Sequence, residues 1–205
     1  MADKEADKPA VKEEKKGPIV KAKVQKLIKK RWFNIIAPKH LNELVVGEVY
    51  TGDVKTAVGR IFHVNLAAVT GETQHQQMHI SFKIVNANGD QLHSIVQGFK
   101  IIPSAIKRLI RKKRPRVELS FVGETSDGVK VRVKPFGVAR GNVSGGAMSA
   151  VRNEVKRMLL ETMKSLTFED LVNDTLNNKI QKTISDSTKK IYPLARFEIR
   201  WLERE

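Results

Sequence analysis

Val117-Glu118-Leu119-Ser120-Phe121-Val122-Gly123-Glu124-Thr125-Ser126-Asp127-Gly128-Val129-Lys130-Val131-Arg132-Val133-Lys134 decides the fold class of this chain. Val129, Val131 and Val133 alternate with Lys130, Arg132 and Lys134, the period of two that a strand shows when one face is buried. Val117, Leu119 and Phe121 predict the preceding strand, and Thr125-Ser126-Asp127-Gly128 supplies the turn between the two. The water-facing side of the second strand carries only cations.

Moving upstream, Ile80, Phe82 and Ile84 lead through Ala87-Asn88-Gly89-Asp90 to Leu92, Ser94 and Val96, a second hairpin whose Asn-Gly step accepts positive φ. Val46 to Val54 and Arg60 to Val69 read as two more strands joined around Gly59. Short strands with regular turn signals predict an antiparallel β-barrel over residues 31–137. A basic helical insertion is expected near 103–116, where Ala105, Ile106, Leu109 and Ile110 form its apolar side.

Moving downstream, the period changes after Phe136. Gly137 to Gly146 reads as a glycine-rich link. Met148, Val151, Val155, Met158, Leu159 and Leu166 then mark one face of an amphipathic helix. Thr167 followed by Glu169 and Asp170 has the form of a capped helix start, and Leu176, Ile180 and Ile184 give a further helix. Ala195, Phe197, Ile199 and Trp201 alternate with Arg196, Glu198 and Arg200 as a last strand. The fold class is therefore α+β, with the barrel followed by a helical α/β portion over 138–205. Residues 1–30 are expected to form a flexible basic N-terminal arm. Up to about residue 18 it mixes Lys with Asp and Glu, and from Lys21 onward it is stripped of acids, as if to order on a partner.

Charge selects that partner. The chain carries 38 Lys and Arg against 22 Asp and Glu, a formal net charge of +16. Seven basic residues fall within ten positions: Lys107, Arg108, Arg111, Lys112, Lys113, Arg114 and Arg116. Holding that much like charge together costs self-repulsion, which a polyanion relieves, so nucleic acid is the expected partner. Cysteine is absent, which excludes disulfides, thiol nucleophiles and cysteine-ligated zinc and fits a reducing cytoplasm. No apolar run approaches the roughly 20 residues that cross a bilayer, and no signal peptide is visible. The expectation is a soluble intracellular protein without a membrane partner.

A search for chemistry yields little. His75 and His79 have the spacing of two zinc-binding histidines on a helix, but the segment reads as a strand, where they would stand about 13 Å apart. Gly141-Asn142-Val143-Ser144-Gly145-Gly146-Ala147-Met148 approaches the glycine spacing of a phosphate-binding loop, yet Ala147 and Met148 replace its Lys and Ser/Thr. Two readings stay open there: a plain link, or helix-start amides holding an RNA phosphate beside Arg140, Asn142 and Arg152. No triad and no carboxylate dyad is organised. The chain is read as non-enzymatic, with no cofactor and no small-molecule substrate. Trp32 and Phe33 follow Lys29, Lys30 and Arg31, a combination suited to stacking on bases while the cations take phosphates. Anchoring of one ring to the core is the other reading.

Arg31-Trp32-Phe33-Asn34-Ile35-Ile36-Ala37-Pro38 resembles the signature near the N-terminus of a family of small-subunit ribosomal proteins of archaea and eukaryotes, S-three-Ae in older naming and e-S-one in the uniform scheme. The resemblance continues through Gly59-Arg60-Ile61-Phe62-His63-Val64-Asn65-Leu66-Ala67, Phe82-Lys83-Ile84, the basic insertion and the Thr125–Gly128 turn. It resumes at Val151-Arg152-Asn153-Glu154-Val155 and Ile191-Tyr192-Pro193-Leu194. The chain stops soon after Trp201, where eukaryotic members carry a longer tail, which implies an archaeal-type member.

The resemblance implies a β-barrel followed by an α/β portion on the platform of the 30S particle near the messenger exit. It also implies contacts with 16S rRNA and neighbouring platform proteins, with messenger RNA near the exit as a further partner. Combined with the charge pattern, the rRNA-binding residues expected are Lys29, Lys30, Arg31, Trp32, Phe33, Lys39, Arg60, Lys107, Arg108, Arg111, Lys112, Lys113, Arg114, Arg116, Arg140, Asn142 and Arg152. The alternative function is a free single-strand RNA-binding translation factor. An RNA-modifying enzyme would need a cofactor pocket that the sequence does not reveal.

Overall fold

The computed structural model describes residues 29–38, 41, 43–110, 112 and 114–205. The arm expected over 1–30 lies outside these residues apart from Lys29 and Lys30. In chain order the described elements are β1 (Arg31–Ile36), β2 (Val45–Thr51), β3 (Ile61–Asn65), α1 (Leu66–Thr70), β4 (Met78–Asn88) and β5 (Gln91–Ile101). They continue as α2 (Pro103–Leu109), β6 (Arg116–Glu118), β7 (Phe121–Glu124), β8 (Lys130–Ala139), α3 (Gly145–Ser165), α4 (Phe168–Leu176), α5 (Lys179–Thr188) and β9 (Leu194–Arg204).

Both predicted hairpin turns are present. Gly128 (φ 72°) closes the loop from Thr125 to β8, and its N–H donates to the Thr125 carbonyl at 2.9 Å. Gly89 (φ 60°) takes the first central position between paired Asn88 and Gln91. Only glycine enters that backbone region without a steric penalty.

The barrel is corrected. Among the described residues nine strands form one mixed sheet that does not close on itself. β3, β4 and β5 run antiparallel, but the far edge of β5 is shared. Its first residues pair with β1 in parallel (Asn34↔Gln91), and its last residues pair with β9 antiparallel (Gly98↔Glu203). β9 in turn pairs with β8, which carries β6 and β7. A barrel buries its core inside itself, whereas here helices cover the buried face, so the sheet stays open. Val133, Phe197, Ile199 and Leu202 pack with Val155 and Leu159 of α3, Leu171 of α4 and Ile184 of α5. A second cluster joins Phe33 and Ile35 of β1 to Ala57, Ile84 and Leu92. A third sets Ile106 of α2 on Phe136 and Val138, the residues of β8 that alternate away from the main core.

Local corrections follow from local chemistry. The expected strand through Val117, Leu119 and Phe121 is two strands, because opposite Leu119 stands Pro135, which has no N–H to give the ladder. The strand read through Val69 ends at Asn65, whose side chain accepts from the Ala67 N–H at 3.0 Å and starts α1, with Gly71 (φ 75°) ending it. The strand read through Val54 ends at Thr51, and β2 pairs with β1 rather than β3. Gly137 to Ala139 finish β8, so the link before α3 is only residues 140–144. The apolar run from Leu176 to Ile184 is cut by Asn178 (φ 58°) into α4 and α5. Thr167 caps α4 as expected, accepting from the Asp170 N–H at 3.3 Å.

Candidate nucleic-acid interface

The structure gathers most of the described candidate residues into distinct groups. At the start of β1, alternation sends Phe33 and Ile35 inward and Trp32 and Asn34 outward. Phe33 is 1% exposed and belongs to the second core cluster, whereas Trp32 is 63% exposed. Of the two readings open for this pair, the core anchor describes Phe33 and the open ring describes Trp32. Trp32 is directly opposite Tyr50 of β2, an aromatic that the sequence pattern did not single out, with ring centroids 5.0 Å apart. The Lys30 ammonium lies 5.9 Å from the Tyr50 ring, and Lys29, Lys30 and Arg31 are all exposed. Lys39 lies outside the described residues.

The basic insertion splits around α2. Pro103 opens the helix, where a missing N–H costs nothing, and Lys107 and Arg108 occupy its last turn. Ile110 leaves the helix in extended backbone and is 36% exposed, so it does not complete the apolar side. Arg111 and Lys113 lie outside the described residues; Lys112, Arg114 and Arg116 are exposed. On one flank of α2, Arg108 and Arg114 line a groove with Arg196 of β9, which pairs with Glu198 at 2.9 Å. On the other flank Lys107 and Arg116 line a cleft of about 570 Å³ together with Lys100, Lys134, Arg200 and Trp201.

Trp201 shares the apolar period of Phe197 and Ile199 in the sequence, but it does not join them in the core. β9 has a bulge: Ile199 pairs with Pro135, but Trp201, not Arg200, pairs with Lys134. The extra residue reverses the alternation, sending Leu202 (1% exposed) into the core and leaving Trp201 half-buried on the α2 side. Lys100 of β5 and Lys134 of β8 are its two cross-strand partners, so the three side chains leave one face of the sheet in a row. Of this row the sequence signalled Lys134, on the basic face of β8; the bulge hides Trp201, and the pairing of β5 with β9 brings Lys100.

Among the described residues, ion pairs on the strands join Arg116 to Glu118, Arg132 to Glu205 and Arg196 to Glu198. Arg157 is held by Glu154 and Glu161, Lys179 by Asp174 and Lys189 by Asp186, all on α3–α5 or their ends. Lys30, Arg31, Lys100, Lys107, Arg108, Arg114, Lys134, Arg140 and Arg200 stand in no ion pair with a carboxylate among those residues. Unneutralised cations on the strand and α2 side are what a phosphate backbone requires. His63, whose Nδ1 is 2.7 Å from Ser81 Oγ, is held below the usual imidazole range by burial and then by the nearby Lys100 charge.

The remaining candidates sit apart. Arg60 is exposed and donates from Nε to the Thr56 carbonyl at 2.9 Å. Arg140 and Asn142 are exposed in the short link before α3, and Arg152 is half-buried on α3. Ser144 itself caps that helix, accepting from the Ala147 N–H. The segment around His75 is a turn of 3-10 helix rather than the expected strand, and His75 Nε2 is 3.0 Å from Glu72. Among the described residues no group of three or more His, Asp or Glu is placed to hold a metal ion. No helix among them is long and apolar enough to cross a membrane.

Against known proteins, the sequence model of the Ribosomal S3Ae family matches residues 19–203. The chain belongs to the ribosomal S3Ae family. Its relatives include the small ribosomal subunit protein eS1 of Saccharolobus islandicus, 32% identical over 83% of this chain and 82% of that one. The protein of the same name from Nanoarchaeum equitans is 33% identical over 84% of this chain and 87% of its own length. The one from Saccharolobus solfataricus is 28% identical over 83% and 82%. An S3Ae-family chain is a ribosomal protein of the eS1 type, non-enzymatic, with rRNA and ribosomal proteins as its partners in general.

Proposed function

We propose that the chain is a permanent constituent of the small (30S) ribosomal subunit, binding 16S rRNA on the platform near the messenger exit beside neighbouring platform proteins. Messenger RNA leaving the particle is a further partner in this reading. The observation that supports it is the gathering of cations around α2: Lys100, Lys107, Arg116, Lys134 and Arg200 line one cleft with Glu118 as its one carboxylate, and Arg108, Arg114 and Arg196 line the groove on the other flank. In this reading Trp32 and the flanks of α2 face RNA. Phe33 acts through the core, by fixing where Trp32 stands.

Sedimentation tests this against a free single-strand RNA-binding translation factor. A constituent stays with 30S particles through a high-salt wash and is shielded there from proteolysis. Release of the chain into the supernatant by that wash would favour the factor. Crosslinks from the α2 region to 16S rRNA outside the platform would move the site without touching family membership.

A further inference from the structure

The cleft beside α2 is built differently from the rest of the basic surface. Its floor is flat and apolar, made of the Trp201 indole with Ile101, Pro103 and Ile106. Its rim is cationic, with Lys100, Lys107, Lys134 and Arg200 placed around that floor, and Arg116 at the β6 side. Glu118 is the one carboxylate in the lining, and it lies 3.4 Å from Arg116; Glu203 lies beside Lys100 and Trp201 in the adjoining pocket. The indole is held in place before any ligand arrives: Nε1 donates to Glu203 at 3.0 Å, and the ring stands between its two cross-strand lysines. A fixed aromatic face with mobile ammonium groups around it suits a π-system that carries negative charge, because stacking and phosphate contact are then satisfied together.

We propose that this cleft receives one unstacked nucleotide of an RNA strand, its base against Trp201 and its flanking phosphates on Lys100, Lys107 and Arg200. The proposal rests on the rRNA-binding reading above and adds to it a defined nucleotide site. Lys134, now over the indole ring, has only to swing its ammonium toward a phosphate to open the face. An acidic peptide would use the rim but not the flat floor.

The test uses the full chain. Trp32→Phe leaves Trp201 as the sole tryptophan, since the sequence contains two. A short oligouridylate should quench its emission, and Lys107→Ala, at an exposed position, should weaken that quenching. Trp201→Leu in the otherwise natural chain should weaken oligouridylate binding about 5- to 150-fold, the range for a lost base stack. Equal quenching by uridine monophosphate at the same concentration overturns the strand-bound form in favour of a free-nucleotide site. Quenching by oligoglutamate and not by oligouridylate overturns it in favour of an acidic peptide. If a platform rRNA fragment still binds the Trp32→Phe chain while Trp201 is unaffected by either RNA, the cleft proposal fails and the rRNA reading stands. Loss of fragment binding by the unmutated chain would instead sink the rRNA reading itself.

Discussion

The Lys134 ammonium lies 4.2 Å from the centroid of the Trp201 ring, and the contact exists only because β9 is bulged at Arg200. Without the extra residue, Trp201 would oppose Val133 and point into the core beneath α3–α5. With it, Leu202 takes that place and Trp201 joins the basic face.

The bulge makes a stability prediction. Leu202→Ala should cost about 2–5 kcal/mol, the range for truncating a buried leucine. Trp201→Ala, though it removes the larger side chain, should cost about 1–2 kcal/mol, from partial burial and one cation–π contact. Denaturant unfolding of the two variants ranks them. A larger loss for Trp201→Ala would mean that the strand runs unbroken and the indole is core.

The same contrast holds at the other tryptophan. Phe33→Ala should cost about 3–5 kcal/mol of folding stability because its ring is closed into the second core cluster. Trp32→Ala should leave the melting transition nearly in place and reduce RNA binding by about 1–3 kcal/mol, the range for a lost stack. Melting curves and filter binding on both variants give four values. A fall in stability for Trp32→Ala with RNA affinity unchanged would make Trp32 a packing residue.

These two tryptophans mark what the sequence could and could not reveal. Period-two alternation located β8 and the β4–β5 hairpin, because each has one face buried, whereas β1 was not read as a strand. The cap at Thr167 and the turn glycines were legible because they are local chemistry. The open strand order of the sheet was not, since it depends on β9 finding the second half of β5 from about 100 residues away in sequence. A bulge has no residue signature, so one inserted position moved Trp201 off the period of Phe197 and Ile199 and into the basic cleft. Cations of the α2 run were legible as a block. Their partners Lys100, Lys134 and Arg200 were not, because strand pairing rather than sequence proximity assembles them.

Gly98 is where β5 and β9 meet most closely. A Cβ there would strike the Leu202 carbonyl oxygen and come within 2.7 Å of Glu203 Cα, both backbone atoms that cannot turn aside. Gly98→Ala should therefore cost about 3 kcal/mol, the upper end for overpacking. Gly123→Ala meets the end of the Met163 side chain at 2.7 Å, which can move, and should cost about 1 kcal/mol. Equal melting temperatures for the two variants would argue against the β5–β9 junction.

His63 reports on the electrostatics beside the cleft. Burial first, and then Lys100, hold its pKa below the usual imidazole value, so the folded protein prefers it neutral. The sign follows: with the folded pKa below the unfolded one, this residue's contribution is intact above about pH 6.5 and declines as pH falls through the folded value. NMR titration of the His63 ring should show a depressed midpoint that rises in Lys100→Gln. No change in that variant would remove Lys100 from the list of causes.

The block of cations around α2 should dominate the salt dependence of RNA binding. Each neutralised phosphate contributes roughly 0.7–0.9 to the slope of log affinity against log salt, values for single strands and duplex DNA. Replacing Lys107, Arg108, Lys112 and Arg114 by Ala should flatten that slope by roughly two to four units for a platform rRNA fragment. Arg157→Ala is the matched control. Its guanidinium is already occupied by Glu154 at 2.6 Å and Glu161 at 2.8 Å, so its loss should change the slope by less than about one unit. Far-ultraviolet circular dichroism confirms that both proteins remain folded. A slope that falls with Arg157→Ala but not with the α2 substitutions would place the RNA on the helical side of the sheet and leave the α2 run a solvated loop.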